Sequence, residues 1–120
     1  MVRAIQELRT KLINAHLKKI KKSVCANKWT FEDYRSKNKD FMQRNGLIID
    51  DIKDTLLDLN SSHYFKGPEP DRDSFRKGDV WFFVYPLKML NSSLNIYIKI
   101  RLDGDNVVCI SFHEEGQYLG

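Results

Sequence analysis

The stretch that decides the fold is NIYIKIRLDGDNVVCISFH, residues 95–113. In residues 95–102, apolar side chains occupy the even positions and polar or charged side chains the odd ones, an alternation typical of a strand with one buried face. Residues 107–113 show a similar alternation, and the Asp-Gly-Asp sequence between the two segments is typical of a tight turn. The stretch therefore predicts two antiparallel strands joined as a hairpin.

The pairing register of this hairpin determines which side chains share its polar face. Directly paired residues lie on the same side of a sheet, so the apolar even positions of the two strands must pair with one another. A three-residue loop at residues 103–105 meets this requirement, and it predicts Tyr97 opposite Ser111 and His113 opposite Asn95. The side chains expected together on the non-core face are those of Tyr97, Lys99, Arg101, Ser111 and His113.

This polar face has two interpretations. A phenol, an imidazole and two cations on one surface can bind a phosphate and move protons around it. The outer face of any sheet also carries polar residues, so the same pattern describes an ordinary solvated surface. The strand pattern alone leaves both interpretations open.

Helices are predicted in the first half of the chain. Up to Asn27, apolar side chains recur every three or four positions without an intervening proline or glycine. The apolar residues expected to form this stripe are Ile5, Leu8, Leu12, Ala15, Ile20 and Val24. Two further helices are predicted at residues 36–45 and 50–59, and Gly46 suits the C-terminal cap of the first of these.

The remaining segments complete an α+β pattern. Residues 29–31 predict a short strand or an extended connector, and residues 79–87 predict a further strand. Two closely spaced prolines favour a loop over residues 61–78, which contains Lys66 and Arg72. Helices followed by antiparallel strands favour an α+β fold, with the helices packed on a small antiparallel sheet of three to four strands.

The length of 120 residues predicts one domain, residues 1–120. Its expected parts are an N-terminal helical extension over residues 1–16, a helical part over 17–60, the loop over 61–78 and the sheet over 79–114. The net charge is +4, and residues 1–30 alone carry eight Lys or Arg and one acidic residue. A basic N-terminal part favours a polyanion or an acidic partner, or simply a solvated helix face.

Several classes of protein are excluded by the composition. The longest apolar run, residues 80–85, is far shorter than the ~20 residues of a membrane span, and charged residues interrupt the N-terminus where a signal peptide would be apolar. Cys25 and Cys109 lie outside any CxxC motif, so two free thiols in the cytoplasm are expected. The three histidines lack metal-ligand spacing, and no glycine-rich phosphate cradle occurs.

The chain resembles the MqsR family of toxins, messenger-RNA interferases of type II toxin–antitoxin systems with a RelE-like α+β fold. The resemblance is carried by IDDIKDTLLDLNSSHYFK at residues 49–66, DVW at 79–81, NIYIKI at 95–100 and VVCISFHE at 107–114. It extends over roughly residues 17–114, and the elements occur in the same order. The collinearity of these segments, and no single motif, carries the similarity.

The resemblance implies roles for individual residues. The family's active-site lysine after the third helix corresponds to Lys66, and its strand tyrosine corresponds to Tyr97. His113 occupies the position at which better-known members have a lysine. Phe82 stands where the family has a glutamine after the strand tryptophan, which puts the RNA sequence preference in doubt.

The implied activity is that of an endoribonuclease that needs no metal ion or other cofactor, because the RNA's own 2′-hydroxyl attacks the neighbouring phosphorus. We expect His113 to act as general acid or base, Lys66 to stabilise the charge on phosphate, and Tyr97 to position or activate the hydroxyl. The residues expected to contact RNA phosphates are Lys99, Arg101, Arg72 and Ser111.

The implied partners are messenger RNA and a cognate antitoxin with a helix-turn-helix DNA-binding domain, in the cytoplasm and without a membrane. One alternative is a non-catalytic RelE- or ParE-like protein that binds gyrase or RNA, because fold does not determine function. A second alternative is an attenuated relative, since the change from glutamine to Phe82 could weaken activity.

Overall fold

The computed structural model describes residues 2–70, 78–90 and 92–114, with side chains from residue 4 onward. The helices are α1 (Val2–Cys25), α2 (Ser36–Asn45) and α3 (Ile49–Asp58), and a 3-10 turn spans Ser61–His63. The strands are β1 (Trp29–Phe31), β2 (Tyr64–Pro70), β3 (Asp79–Lys88), β4 (Ser93–Asp103) and β5 (Asn106–Glu114). They form one sheet in the order β1-β5-β4-β3-β2, in which β1 is parallel to β5 and the other neighbours are antiparallel.

The predicted α+β class is confirmed, but the described residues form a mixed sheet of five strands rather than an antiparallel sheet of three to four. The core lies between the helices and one face of the sheet. Fully buried side chains of its centre are Ile20, Val24, Phe41, Ile52, Leu56, Phe83, Ile96, Ile98, Ile100 and Phe112. Each such side chain contributes about 1.5–3 kcal/mol by leaving water, so this face of the sheet is the structural one.

The apolar stripe predicted for α1 is only partly correct. The residues of α1 that face the core are Ile13, Leu17, Ile20 and Val24. Ile5, Leu8 and Leu12 are about 60% exposed, because the first half of the helix extends beyond the core. Ala15 is exposed as well.

The predicted loop over residues 61–78 is wrong for its first half, in which the 3-10 turn is followed by the edge strand β2. Proline is tolerated at a sheet edge, where its missing N–H removes no ladder bond. The pairing of β2 with β3 is irregular on both sides of Lys66. At Gly67 (φ +116°) a Cβ atom would lie 2.7 Å from the carbonyl oxygen of Val80, so the close approach of the two strands requires glycine.

The predicted register of the β4–β5 hairpin is also wrong. Asp103 pairs with Asn106, so the turn contains two residues, not three. A β-bulge then shifts the register, so that Lys99 pairs with Ser111 and Tyr97 with His113. The two-residue turn and the extra residue in β5 together restore apolar-to-apolar pairing, so that Val107, Cys109 and Phe112 all reach the core.

Candidate functional site

The face of the sheet opposite the core carries five of the expected site residues in two adjacent rows. The first row crosses β2, β3, β4 and β5 and consists of Lys66, Phe82, Lys99 and Ser111. The second row consists of Val84, Tyr97 and His113. Because directly paired residues lie on the same side of a sheet, Lys66, Tyr97 and His113 share this face.

Phe82 is the centre around which the charged and aromatic side chains of this face are grouped. The Nζ atoms of Lys66 and Lys99 lie 4.4 Å and 5.7 Å from the centroid of its ring. The ring centroid of Tyr97 is 5.9 Å from that of Phe82, and the centroid of His113 is 5.7 Å from that of Tyr97. The negative face of an aromatic ring attracts cations, so Phe82 helps to hold two ammonium groups together.

Lys66 also has a carboxylate neighbour. Its Nζ lies 3.7 Å from Oε1 of Glu69, and both side chains are more than 40% exposed. An ion pair in this setting contributes little, because water screens both charges. Lys66 therefore remains available to an anion on this face of the sheet.

A hollow of about 460 Å³ lies between His113 and the beginning of α2. Its walls carry the cations of Arg35, Lys37 and Lys99 beside Tyr97. Sequence reasoning missed Arg35 and Lys37, because no local pattern relates the start of α2 to the end of β5. The charge of Arg35 is balanced by Glu32, so Lys37 and Lys99 give the hollow an excess of positive charge that suits a phosphate.

Asn38 holds the part of β5 that carries the site. Its side chain is buried, and Nδ2 donates hydrogen bonds to the carbonyl oxygens of Ile110 (2.9 Å) and Glu32 (3.0 Å). Its Oδ1 accepts a hydrogen bond from the backbone N–H of Phe112 at 2.9 Å. The ladder between β1 and β5 ends at Cys109, so the Asn38 amide takes the place of a strand partner beyond the bulge. Sequence reasoning missed this residue as well, since an isolated asparagine in a helix gives no such signal.

Two ionisable side chains lie close to the hydrogen bonds of Asn38: the carboxylate of Glu32, which is paired, and the thiol of Cys109, which is buried. Glu32 is buried, accepts a hydrogen bond from Tyr34, and pairs with Nε of Arg35 at 2.8 Å. Cys109 is fully buried, and burial, followed by the negative charge of Glu32, raises the pKa of its thiol. The two cysteines are free thiols, as expected, and Cys25 is exposed.

The imidazole of His113 is favoured in its neutral form. Its side chain is largely buried, and desolvation is the main reason that its pKa is lowered from 6.5. A hydrogen bond with the carbonyl oxygen of Glu114 opposes this shift, and the positive charge of Lys37 adds to it. A neutral imidazole near pH 7 can accept a proton.

The other expected phosphate contacts have different positions. Ser111 lies in the first row beside Lys99. Arg101 pairs with Val80 and Val108, on the same face but one row beyond Lys99. Arg72 lies outside the described residues, so its expected contact stays a prediction.

Within residues 2–70, 78–90 and 92–114, no group of three His, Cys, Asp or Glu side chains is arranged to hold a metal ion. In the same part of the chain, no helix is long and apolar enough to cross a membrane.

These features define a small α+β protein in which one face of the sheet is a core and the other gathers cations, a phenol and an imidazole. A family model described as "Motility quorum-sensing regulator, toxin of MqsA" matches residues 14–114. The chain belongs to this family of MqsR toxins, which confirms the resemblance noted in the sequence. It is accordingly a toxin of a toxin–antitoxin system, with an antitoxin as partner. No curated protein matches the chain.

Proposed function

We propose that this toxin is an endoribonuclease that cleaves messenger RNA in the cytoplasm by attack of the RNA's own 2′-hydroxyl. The observation that carries the proposal is the direct pairing of Tyr97 with His113, next to the row that contains Lys66 and Lys99. Membership in a family known for messenger-RNA interferases supports it. The finer identity of the partner, an antitoxin with a helix-turn-helix DNA-binding domain, belongs to the same proposal.

The reaction requires a base for the 2′-hydroxyl, positive charge near the phosphate and a proton for the departing 5′-oxygen. His113 accepts the 2′-hydroxyl proton, since its lowered pKa keeps the ring neutral at pH 7. The 2′-oxygen then bonds to phosphorus, the bond to the 5′-oxygen breaks, and the imidazolium returns its proton to that oxygen. The products are a 2′,3′-cyclic phosphate and a 5′-hydroxyl end.

The cations and the phenol supply the remaining requirements. Lys66 and Lys99 flank the Phe82 ring, so an RNA phosphate between them would meet two ammonium groups within one row. Arg35 and Lys37 would contact the adjacent phosphate through the hollow at the start of α2. Tyr97 lies in the second row, paired with His113 and next to the row of lysines, and would orient the 2′-hydroxyl toward His113.

The decisive experiment is cleavage of a defined RNA in EDTA by the wild-type protein and by His113→Ala and Lys66→Ala. We expect a loss of about 10²–10⁴-fold for His113→Ala, the range for removal of a general acid or base. Lys18→Ala is the matched control, because Lys18 is an exposed lysine of α1 on the other side of the sheet. Circular dichroism would show that each variant folds.

The outcome that contradicts the mechanism is full activity of His113→Ala, or cleavage by the wild type that EDTA abolishes. The ends of the products provide a second criterion, since 5′-phosphate ends would exclude attack by the 2′-hydroxyl. Expression in bacteria addresses the alternative: a gyrase-binding protein would trap gyrase on DNA without fragmenting bulk messenger RNA.

A further inference from the structure

The apolar residues of helix α1 lie on one side of the helix up to Leu12 and on a different side from Ile13 onward. Ile13 begins the core-facing stripe, which continues at spacings of three or four residues to Val24. Ile5, Leu8 and Leu12 form a second stripe, with spacings of three and four residues. Successive residues differ by about 100° around a helix, so the second stripe is rotated by roughly a third of a turn from the first.

The second stripe is exposed, and its surroundings form a groove. Ile5, Leu8 and Leu12 are about 60% exposed, and Phe65 of β2 is 55% exposed. These four side chains line a groove of about 500 Å³ between the first half of α1 and β2. Scattered exposed apolar residues are common, whereas a contiguous apolar groove is typical of an interaction surface.

Charge indicates the chemistry of the occupant. The residues that line the groove include the cations Arg9 and Lys66 and no carboxylate among the described part of the chain. Helix α1 as a whole contains seven basic residues and one acidic residue. An occupant that complements this groove has an apolar stripe flanked by Asp or Glu.

The shape favours a helix as the complementary element. From Ile5 to Leu12 the stripe spans about 10 Å at 1.5 Å per residue, which matches two turns of a partner helix. Helix-in-groove recognition uses apolar anchors at helical spacing. A second copy of this chain is the less favourable occupant, because pairing two such basic helices brings like charges together.

We propose that the first half of α1, together with Phe65, is a docking surface for an acidic amphipathic helix of a protein partner. This surface lies mainly outside the family match, which begins at residue 14. Lys66 borders both the groove and the face that carries Tyr97. An occupied groove therefore places the partner beside the proposed reaction site, and slower RNA cleavage in the complex is a consequence that rests on the proposed function.

The test measures binding of fluorescent peptides to the full chain by anisotropy. The probe is a capped helical peptide with leucine at positions i, i+3, i+4 and i+7 of each repeat and glutamate between them. One control peptide has lysine in place of glutamate, and another has the leucines distributed around the helix. We expect the acidic amphipathic peptide to bind at least about tenfold more tightly than either control, and more weakly as salt rises.

The variants distinguish binding in this groove from nonspecific hydrophobic binding. Leu8→Ser combined with Leu12→Ser, and separately Phe65→Ser, should each weaken binding by about tenfold or more, since each removes exposed apolar contact area. Phe65→Ser leaves α1 untouched, so its effect is independent of any change in helix content. Ile48→Ser is the control, because Ile48 is 60% exposed and does not line the groove.

Three outcomes would overturn the proposal: equal binding of the acidic and basic peptides, binding unaffected by the groove variants, or sedimentation of the free chain as a dimer that Leu8→Ser dissociates. The last outcome would assign the groove to a second copy. Cleavage of RNA by the free protein is measured separately, so a failure of the proposed reaction leaves the binding result intact.

Discussion

The two halves of β5, on either side of its bulge, are held in place by different means. Before the bulge, Val107 and Cys109 are fixed by backbone pairing with both β1 and β4 and face the core. After the bulge, Ser111 and His113 face the opposite side, and the amide of Asn38 replaces the missing strand partner. The difference shows that one buried side chain can take the place of a strand partner on one edge of β5, while β4 pairs with the other edge, along the half of the strand that carries the proposed site residues.

Of the changes that test this difference between the two halves of β5, Asn38→Ala should have the largest effect. The variant leaves the N–H of Phe112 and the carbonyl oxygens of Ile110 and Glu32 without their partner. We expect a loss on the order of 3 kcal/mol in the free energy of unfolding, measured by urea denaturation. The kcat for RNA cleavage should also fall, by about tenfold, at temperatures where the variant is folded.

Val107→Ala is the matched control for Asn38→Ala in the first half of β5. It removes buried methyl groups and should cost about 2 kcal/mol, while the kcat of the folded protein stays unchanged. An equal effect of the two variants on kcat would contradict the division of β5 into a structural half and a functional half.

Lys37→Ala should produce a smaller effect, on the pH profile of cleavage. The lowered pKa of His113 predicts that the acid limb of kcat lies below pH 6.5, because activity is lost only when the ring gains its proton. Removing the positive charge of Lys37 raises the pKa of His113, so the acid limb should move to higher pH. Lys39→Ala, an exposed lysine of the same helix, is the control.

The lowered pKa of His113 also determines how the stability of the fold depends on pH. A histidine with a lowered pKa in the folded state stabilises the fold above its unfolded pKa of 6.5, and this contribution is lost as the pH falls toward the folded value. For the Lys37→Ala variant, an acid limb of kcat that stays at the same pH would mean that a group other than His113 titrates in the reaction.

The smallest expected effect is a difference in reactivity between the two cysteine thiols. Cys109 lies in the structural half of β5, fully buried and with a raised pKa, whereas Cys25 is exposed. A thiol reagent at pH 8 should label Cys25 and leave Cys109 unmodified until the protein is unfolded. Labelling of Cys109 at the same rate as Cys25 in the native protein would show that β5 opens before its bulge.

Much of the fold follows from local patterns in the sequence. The helical period predicted α2 with its cap at Gly46, whose φ of +63° suits glycine. Strand alternation also predicted that Tyr97 and Lys99 face the same side, because a side-chain period of two permits no other arrangement. The register failed, because alternation cannot show which strand contains an extra residue: Val108 was expected in the core, whereas Val107 and Cys109 occupy it.

The sequence by itself determined the three helices, the strands β3, β4 and β5, their order and the polar face of β4, because these depend on neighbours within a few positions. Only the tertiary structure decided the edge strand that brings Lys66 into the row with Lys99, and the pairing of Tyr97 with His113. The tertiary structure alone also decided the hydrogen bonds of Asn38, one of which joins residues 74 positions apart in the chain. Such contacts depend on how distant segments pack, and no local periodicity encodes the pairing of two distant residues.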